Sequence, residues 1–145
     1  MSAVVHGIDL GAVERAIGAA ERATTGEICV ALSRFYFWGD VRRAAERAFV
    51  RLHIDRTRDR NGVLIFVAPW RRGVAILGDE AVHRRVEDGF WEATAGALAQ
   101  AFRHGDRTGG VVHAVEVVGA RLAMHFPVGS GTGGNPNELP DRVQR

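Results

Sequence analysis

The chain has 145 residues, of which 46% are hydrophobic, enough for one domain with a substantial core. Its 19 basic residues are all arginine and its acidic residues number 17, so the formal charge is +2 although the pI is about 9.4. The longest apolar run falls far short of the roughly 20 residues that span a membrane. A single cysteine, Cys29, excludes an internal disulfide. We therefore expect a soluble cytoplasmic protein and a buried structural thiol at Cys29.

The first part of the chain alternates helix and strand. Apolar residues at helical spacing predict a helix from Asp9 to near Thr24. The apolar and β-branched stretch EICVALS, which begins at Glu27, predicts a strand. Asp40 then stands where an N-cap is expected, ahead of a helix with apolar residues on one side and arginines on the other.

The middle of the chain predicts two strands, Val63 to Ala68 and Val74 to Leu77, joined by a short turn. A turn so short makes these strands antiparallel, whereas the helix between EICVALS and the Val63 strand predicts a parallel pair with a right-handed crossover. The Val63 strand is apolar on both faces, as is typical of a central strand. We predict an α/β fold, a small mixed sheet of two parallel strands plus an antiparallel hairpin strand, with helices on both faces.

Two helices and a tail complete the predicted architecture. Apolar stripes predict one helix that ends at Gly105 and a second that ends before Pro127. Residues 127–145 are rich in glycine and polar residues. We therefore predict a single domain over residues 6–126, followed by a glycine-rich linker and a polar C-terminal tail.

The acidic pair Asp79 and Glu80 follows the antiparallel strand. Because that strand runs against the other two, its end should lie beside their starts, close to Glu27 and with Asp88 nearby. As an N-cap and a first-turn residue, Asp79 and Glu80 would stabilise a helix without any further role. Carboxylates from separate segments also suit a hard cation, so we predict Asp79, Glu80, Glu27 and Asp88 as ligands of calcium or magnesium.

The aromatic loop RFYFWGD should project from the opposite end of the sheet. Phe35, Phe37, Trp38 and Trp70 are therefore candidates for a partner-binding patch, with packing against the domain itself as the alternative. Arginines beside aromatic rings also suit nucleic acid, but the arginines are spread over helix faces beside glutamates, which makes that partner unlikely. No two histidines have the i, i+4 spacing of a helical zinc pair.

Six stretches in order resemble the short, soluble branch of the TPM-domain family: TTGEICVAL, RTRDRNGVLIFVAP, AILGDEAVH, DGFWE, FRHGDRTGGVVHAV and NELPD. The likeness covers residues 17–141. It implies an α/β sandwich, in agreement with the predicted topology. In this family, plant thylakoid-lumen members are associated with acid phosphatase activity and photosystem II repair, and short bacterial members look like divalent-metal binders. The recurrence of NELPD implies that residues 137–141 form a docking segment.

The function predicted from these observations is a cation-binding TPM domain with no assigned catalytic residue. The enzymatic alternative is a metal-assisted phosphomonoesterase, in which a bound cation would polarise the phosphoryl group and activate water. A protein-interaction domain that uses the aromatic loop 35–38 is a further alternative. The three differ in what they require: a set of carboxylates, a reacting group beside them, or exposed rings.

Overall fold

A computed structural model of the chain describes residues 3–33, 39–69, 73–129 and 143. The helices and strands are, in chain order, β1 (Val4–Val5), β2 (Ile8–Asp9), α1 (Leu10–Glu21), β3 (Glu27–Leu32), α2 (Val41–Arg51), β4 (Gly62–Ala68), β5 (Gly73–Gly78), α3 (Glu80–His83), α4 (Phe90–Arg103) and α5 (Arg107–His125). A 3₁₀ turn, Ile54–Arg56, lies between α2 and β4.

The central sheet has the strand order β3-β4-β5. β3 and β4 are parallel, with Glu27 opposite Gly62, and β4 and β5 are antiparallel, with Val63 opposite Gly78. The predicted mixed sheet is confirmed. Its strand directions follow from the connections, since α2 carries the chain back between β3 and β4, whereas only residues 69–72 separate β4 from β5.

Side chains alternate along the strands and give the sheet two buried faces. The larger cluster packs against α1, α4 and α5 and includes these strand residues: Ile28, Val30, Leu32, Val63, Ile65, Val67 and Ile76. The smaller cluster packs against α2 and the 3₁₀ turn and includes Cys29, Ala31, Leu64, Phe66, Ala68 and Ala75. Helices on both faces are therefore confirmed as well. On the α2 side, the helix contributes Ala44, Ala45 and Ala48, whose small side chains let it lie close to the sheet.

A short hairpin at the start of the chain was not predicted. β1 and β2 pair antiparallel, and His6 and Gly7 between them have φ values of 52° and 79°. Two consecutive residues with positive φ are the geometry of a tight type I′ turn. Strands of two residues are too short to show a periodic pattern, so this hairpin left no clear signal in the sequence.

The first helix ends earlier than predicted, at Glu21 rather than near Thr24. Thr24 instead ties the chain to the end of α5, because its hydroxyl donates to the carbonyl oxygens of Leu122 and Phe126 at 3.0 and 2.6 Å. Thr24 therefore belongs to this contact with α5 and not to the helix. No helix within the described residues is long and apolar enough to cross a membrane.

Candidate functional site at the edge of the sheet

The starts of β3 and β4 meet the end of β5 at one edge of the sheet. The register sets Glu27 beside Gly62, and the amide of Asp79 donates to the carbonyl oxygen of Gly62 at 2.8 Å. Asp79 therefore lies directly beyond the paired part of β5. The short turn between β4 and β5 predicts that the end of β5 lies beside the starts of β3 and β4, as observed.

Asp79 is a buried carboxylate with three donors. Its side chain is 5% exposed, and Oδ1 accepts a hydrogen bond from the Glu80 amide at 2.8 Å, which caps α3. The Arg60 guanidinium donates from Nε to Oδ2 at 2.7 Å and from Nη2 to Oδ1 at 2.9 Å. Two parallel hydrogen bonds of this kind make a bidentate, charge-assisted pair. Asp79 therefore acts as a helix cap and as the partner of a cation.

Arg60 is held at this edge by its backbone as well as its side chain. Its φ of 52° lies in the left-handed region, and its carbonyl oxygen accepts from the Ala81 amide at 3.1 Å. The hydrogen bonds from Arg60 to Asp79 and the charge of that carboxylate raise the pKa of the guanidinium, with smaller contributions from Glu80 and Asp55. Sequence reasoning assigned no role to Arg60.

Two further carboxylates face the same guanidinium. The Oε1 atom of Glu80 lies 3.8 Å from Arg60 Nη1, and the Glu80 side chain is 55% exposed. Asp55, in the 3₁₀ turn, has a buried Oδ1 atom with no hydrogen-bond partner among the described residues. Asp55 was missed because its place in the sequence, after a helix and before an arginine, gives no sign that it lies near β4.

The other two predicted ligands differ in burial. Glu27 is 1% exposed and, by strand alternation, shares the α2 side of the sheet with Cys29 and Ala31. Asp88 is exposed, precedes α4 and lines a groove of about 400 Å³ between α4 and α5. Among the residues that the structure describes, no three side chains of His, Cys, Asp or Glu form a group that could hold a metal ion.

Comparison with known proteins settles the family. The family model described as the TPM domain matches residues 4–121. The chain belongs to the TPM-domain family. A similar solved structure, with a TM-score of 0.80, is the NMR structure of the BA42 protein from the psychrophilic bacterium Bizionia argentinensis. It is 35% identical, and the match covers 93% of this chain and 90% of that chain. Comparison with curated proteins finds no match.

The resemblance read from six sequence stretches is thus confirmed for this TPM domain, together with its α/β fold. Phe35, Phe37, Trp38 and Trp70, the predicted partner patch, lie outside the described residues. The NELPD segment lies outside them too. Val143, which follows that segment in the predicted tail, is 8% exposed and belongs to the larger buried cluster.

Cys29 has the structural role predicted for it. The thiol is 3% exposed, on the α2 side of the sheet. Burial, and secondly the negative charge of Glu21, raise the pKa of Cys29 to about 12. Glu21 is itself buried, and its Oε2 atom accepts a hydrogen bond from the Ile28 amide at 2.8 Å. A thiol with this pKa is protonated at neutral pH and is not a nucleophile there.

Proposed function

We propose that this TPM domain binds a divalent cation, calcium or magnesium, at the edge of the sheet in competition with Arg60. The observation that carries the proposal is the place of the guanidinium. It is a cation held by both oxygens of buried Asp79, with Glu80 at 3.8 Å. The side chain of Arg60 is 44% exposed, so it has room to turn into solvent and leave these carboxylates to another cation.

The donor set supports a weak site. Asp79 and Glu80 would supply carboxylate oxygens and water the remaining ligands, because the described residues offer no group of three chelating side chains. Asp55 adds negative charge nearby. With so few protein ligands, we expect a dissociation constant on the order of 1 mM. A role for Glu27 or Asp88 as a ligand stays a prediction.

A calcium titration followed by amide NMR tests the proposal. We expect shifts at residues 60–62 and 78–83 in the wild-type domain. Arg60→Ala should bind calcium about tenfold more tightly, because the competing cation is gone, and Glu80→Gln should bind more weakly. Arg58→Ala is the matched control, since Arg58 is 67% exposed and its ion pair is with Asp59 rather than Asp79. An Arg60→Ala variant that binds no more tightly than Arg58→Ala would contradict the competition.

The phosphomonoesterase alternative depends on the same cation and stays a prediction, as do the cytoplasmic location and the aromatic partner patch. No observation among the described residues favours catalysis over binding alone. Turnover of p-nitrophenyl phosphate with calcium, magnesium or manganese is the test. Activity that Asp79→Asn abolishes and Asp59→Asn retains would support an enzyme, and equal activity in both variants would point to a contaminant.

A further inference from the structure

Arginines occur along the whole chain, but the net positive charge is concentrated in one segment. Residues 41–60, which form α2, the 3₁₀ turn and the approach to β4, contain seven arginines and three acidic residues, a formal charge of +4. Because the whole chain carries +2, the other 125 residues together carry −2. The small net charge of the chain therefore conceals a basic segment on a domain that is otherwise slightly acidic.

Within this segment, three arginines form a row on α2. Arg43, Arg47 and Arg51 are spaced four residues apart, so they lie one above another on the helix and span about 12 Å. We call these three residues the arginine stripe. All three are exposed, on the side away from the buried alanines of α2. The stripe is therefore a solvent-facing surface of the domain.

The arginine stripe has one carboxylate beside it, Glu46, which is paired with another arginine. None of its members forms a hydrogen bond or an ion pair with a described residue, and the one glutamate of the helix, Glu46, is paired with Arg42 at 3.4 Å. Like charges spaced i, i+4 on a helix repel each other and reduce its stability. An anionic partner that binds here would remove this repulsion, so charge complementarity favours such a partner.

An apolar side chain lies beside the stripe. Val50 is 58% exposed, one of the few large hydrophobic residues that the described surface presents to solvent. Together with Glu46 and the three stripe arginines it lines one shallow depression. Among the described residues that line this depression there is no aromatic ring on which a nucleic-acid base could stack. One valine is also a small apolar area for insertion into a bilayer.

We propose that the arginine stripe and Val50 dock an acidic amphipathic helix of a partner protein. A helix that repeats a glutamate every fourth residue places its carboxylates about 6 Å apart, the same spacing as the arginines. An apolar residue one turn away on the same side would then contact Val50. This surface lies on the exposed side of α2, and the proposal does not depend on cation binding at the sheet edge.

The test is an NMR titration at low salt with a synthetic 15-residue helical peptide that carries glutamate at every fourth position and leucine beside it. We expect amide shifts concentrated in Val41–Arg51. The triple variant Arg43→Gln, Arg47→Gln, Arg51→Gln should bind about tenfold more weakly, given the small contribution of each exposed ion pair. Val50→Ser, which keeps the charge, should weaken binding about threefold.

Matched controls separate the stripe from general attraction between opposite charges. The variant Arg15→Gln, Arg22→Gln, Arg103→Gln loses the same charge from exposed positions in α1, directly after α1 and in α4, and should bind the peptide like the wild type. Equal loss in both triple variants would overturn the proposal, as would equal binding of a peptide with the same residues in shuffled order. Tighter binding of oligodeoxythymidylate or of phosphatidylglycerol vesicles would also overturn it.

Discussion

Arg60 reaches the buried carboxylate of Asp79 through hydrogen bonds of 2.7 and 2.9 Å, whereas the arginine stripe of α2 has no partner among the described residues. Both belong to the same basic segment, residues 41–60. They differ in what surrounds them, since Asp79 is 5% exposed and is fixed by the end of β5, while the only glutamate of α2 is engaged by Arg42.

The difference shows that the arginines of this basic segment have different roles, which depend on their surroundings. At the sheet edge, the burial of the acid decides the role, because a carboxylate removed from water needs a compensating cation. On α2, the arginines remain in water and are held only by the helix that carries them. The first setting should therefore influence stability strongly, and the second should influence binding to other molecules.

The largest predicted effect is at Asp79. Asp79→Ala removes the cap of α3 and the carboxylate that accepts from Arg60, so we expect a loss of about 3 kcal/mol in the free energy of unfolding. Urea denaturation measures it. The control is Asp59→Ala, because Asp59 is 44% exposed and its ion pair with Arg58 is 3.8 Å long. That control should lose less than about 0.5 kcal/mol. Similar losses in the two variants would show that the Asp79 pair is not special.

Two aspartates show how far the sequence could predict this structure. Asp40 and Asp79 each precede a helical pattern, and both were predicted to cap a helix. Asp40 accepts from the Arg42 amide at 2.9 Å and Asp79 from the Glu80 amide at 2.8 Å. The directions of the three central strands were also predictable, because the lengths of the connections decide them. Local capping and connection length leave direct signals in a sequence.

The pairing of Arg60 with Asp79 at the sheet edge left no direct signal in the sequence. Arg56, Arg58 and Arg60 alternate along one short stretch, and nothing in their spacing indicates which of them reaches Asp79. Arg60, whose φ is left-handed, makes the contact, and it lies 19 residues from Asp79 in the sequence. Asp88 shows the opposite situation: it is close to Asp79 and Glu80 in the sequence, but it lines the groove between α4 and α5.

In the interior behind the sheet edge, a charge without a partner should be destabilising. The carboxylate of buried Glu21 accepts a hydrogen bond from the Ile28 amide. The thiol of Cys29 is also buried, and its burial together with the charge of Glu21 raises the pKa of Cys29 from 9.0 to about 12. As the pH rises above about 9, the thiol ionises in the unfolded chain first. The folded state therefore loses stability progressively from pH 9 toward pH 12.

We expect this loss to reach about 1 kcal/mol by pH 10 in the wild-type domain. Urea denaturation at pH 8 and pH 10 measures it. Cys29→Ala lacks the titrating thiol, so its free energy of unfolding should fall less over the same interval, whatever its stability at pH 8. Parallel curves for the two proteins would mean that Cys29 ionises equally readily in the folded and unfolded chains.

The smallest predicted effect is on α2 and has the opposite sign. Replacing Arg43 and Arg47 together by glutamine removes both i, i+4 repulsions of the stripe and keeps Arg51 in the last turn, where a cation stabilises the helix C-terminus. Glutamine has a helix propensity similar to that of arginine. The free energy of unfolding should therefore rise by about 0.5 kcal/mol at low salt, and the gain should disappear at high salt, where exposed charges are screened. Thermal unfolding at two salt concentrations measures both parts. If the variant were less stable than the wild type at low salt, the stripe arginines would be making stabilising contacts within the domain. The contrast with Arg60 would then fail, because both sets of arginines would serve the fold.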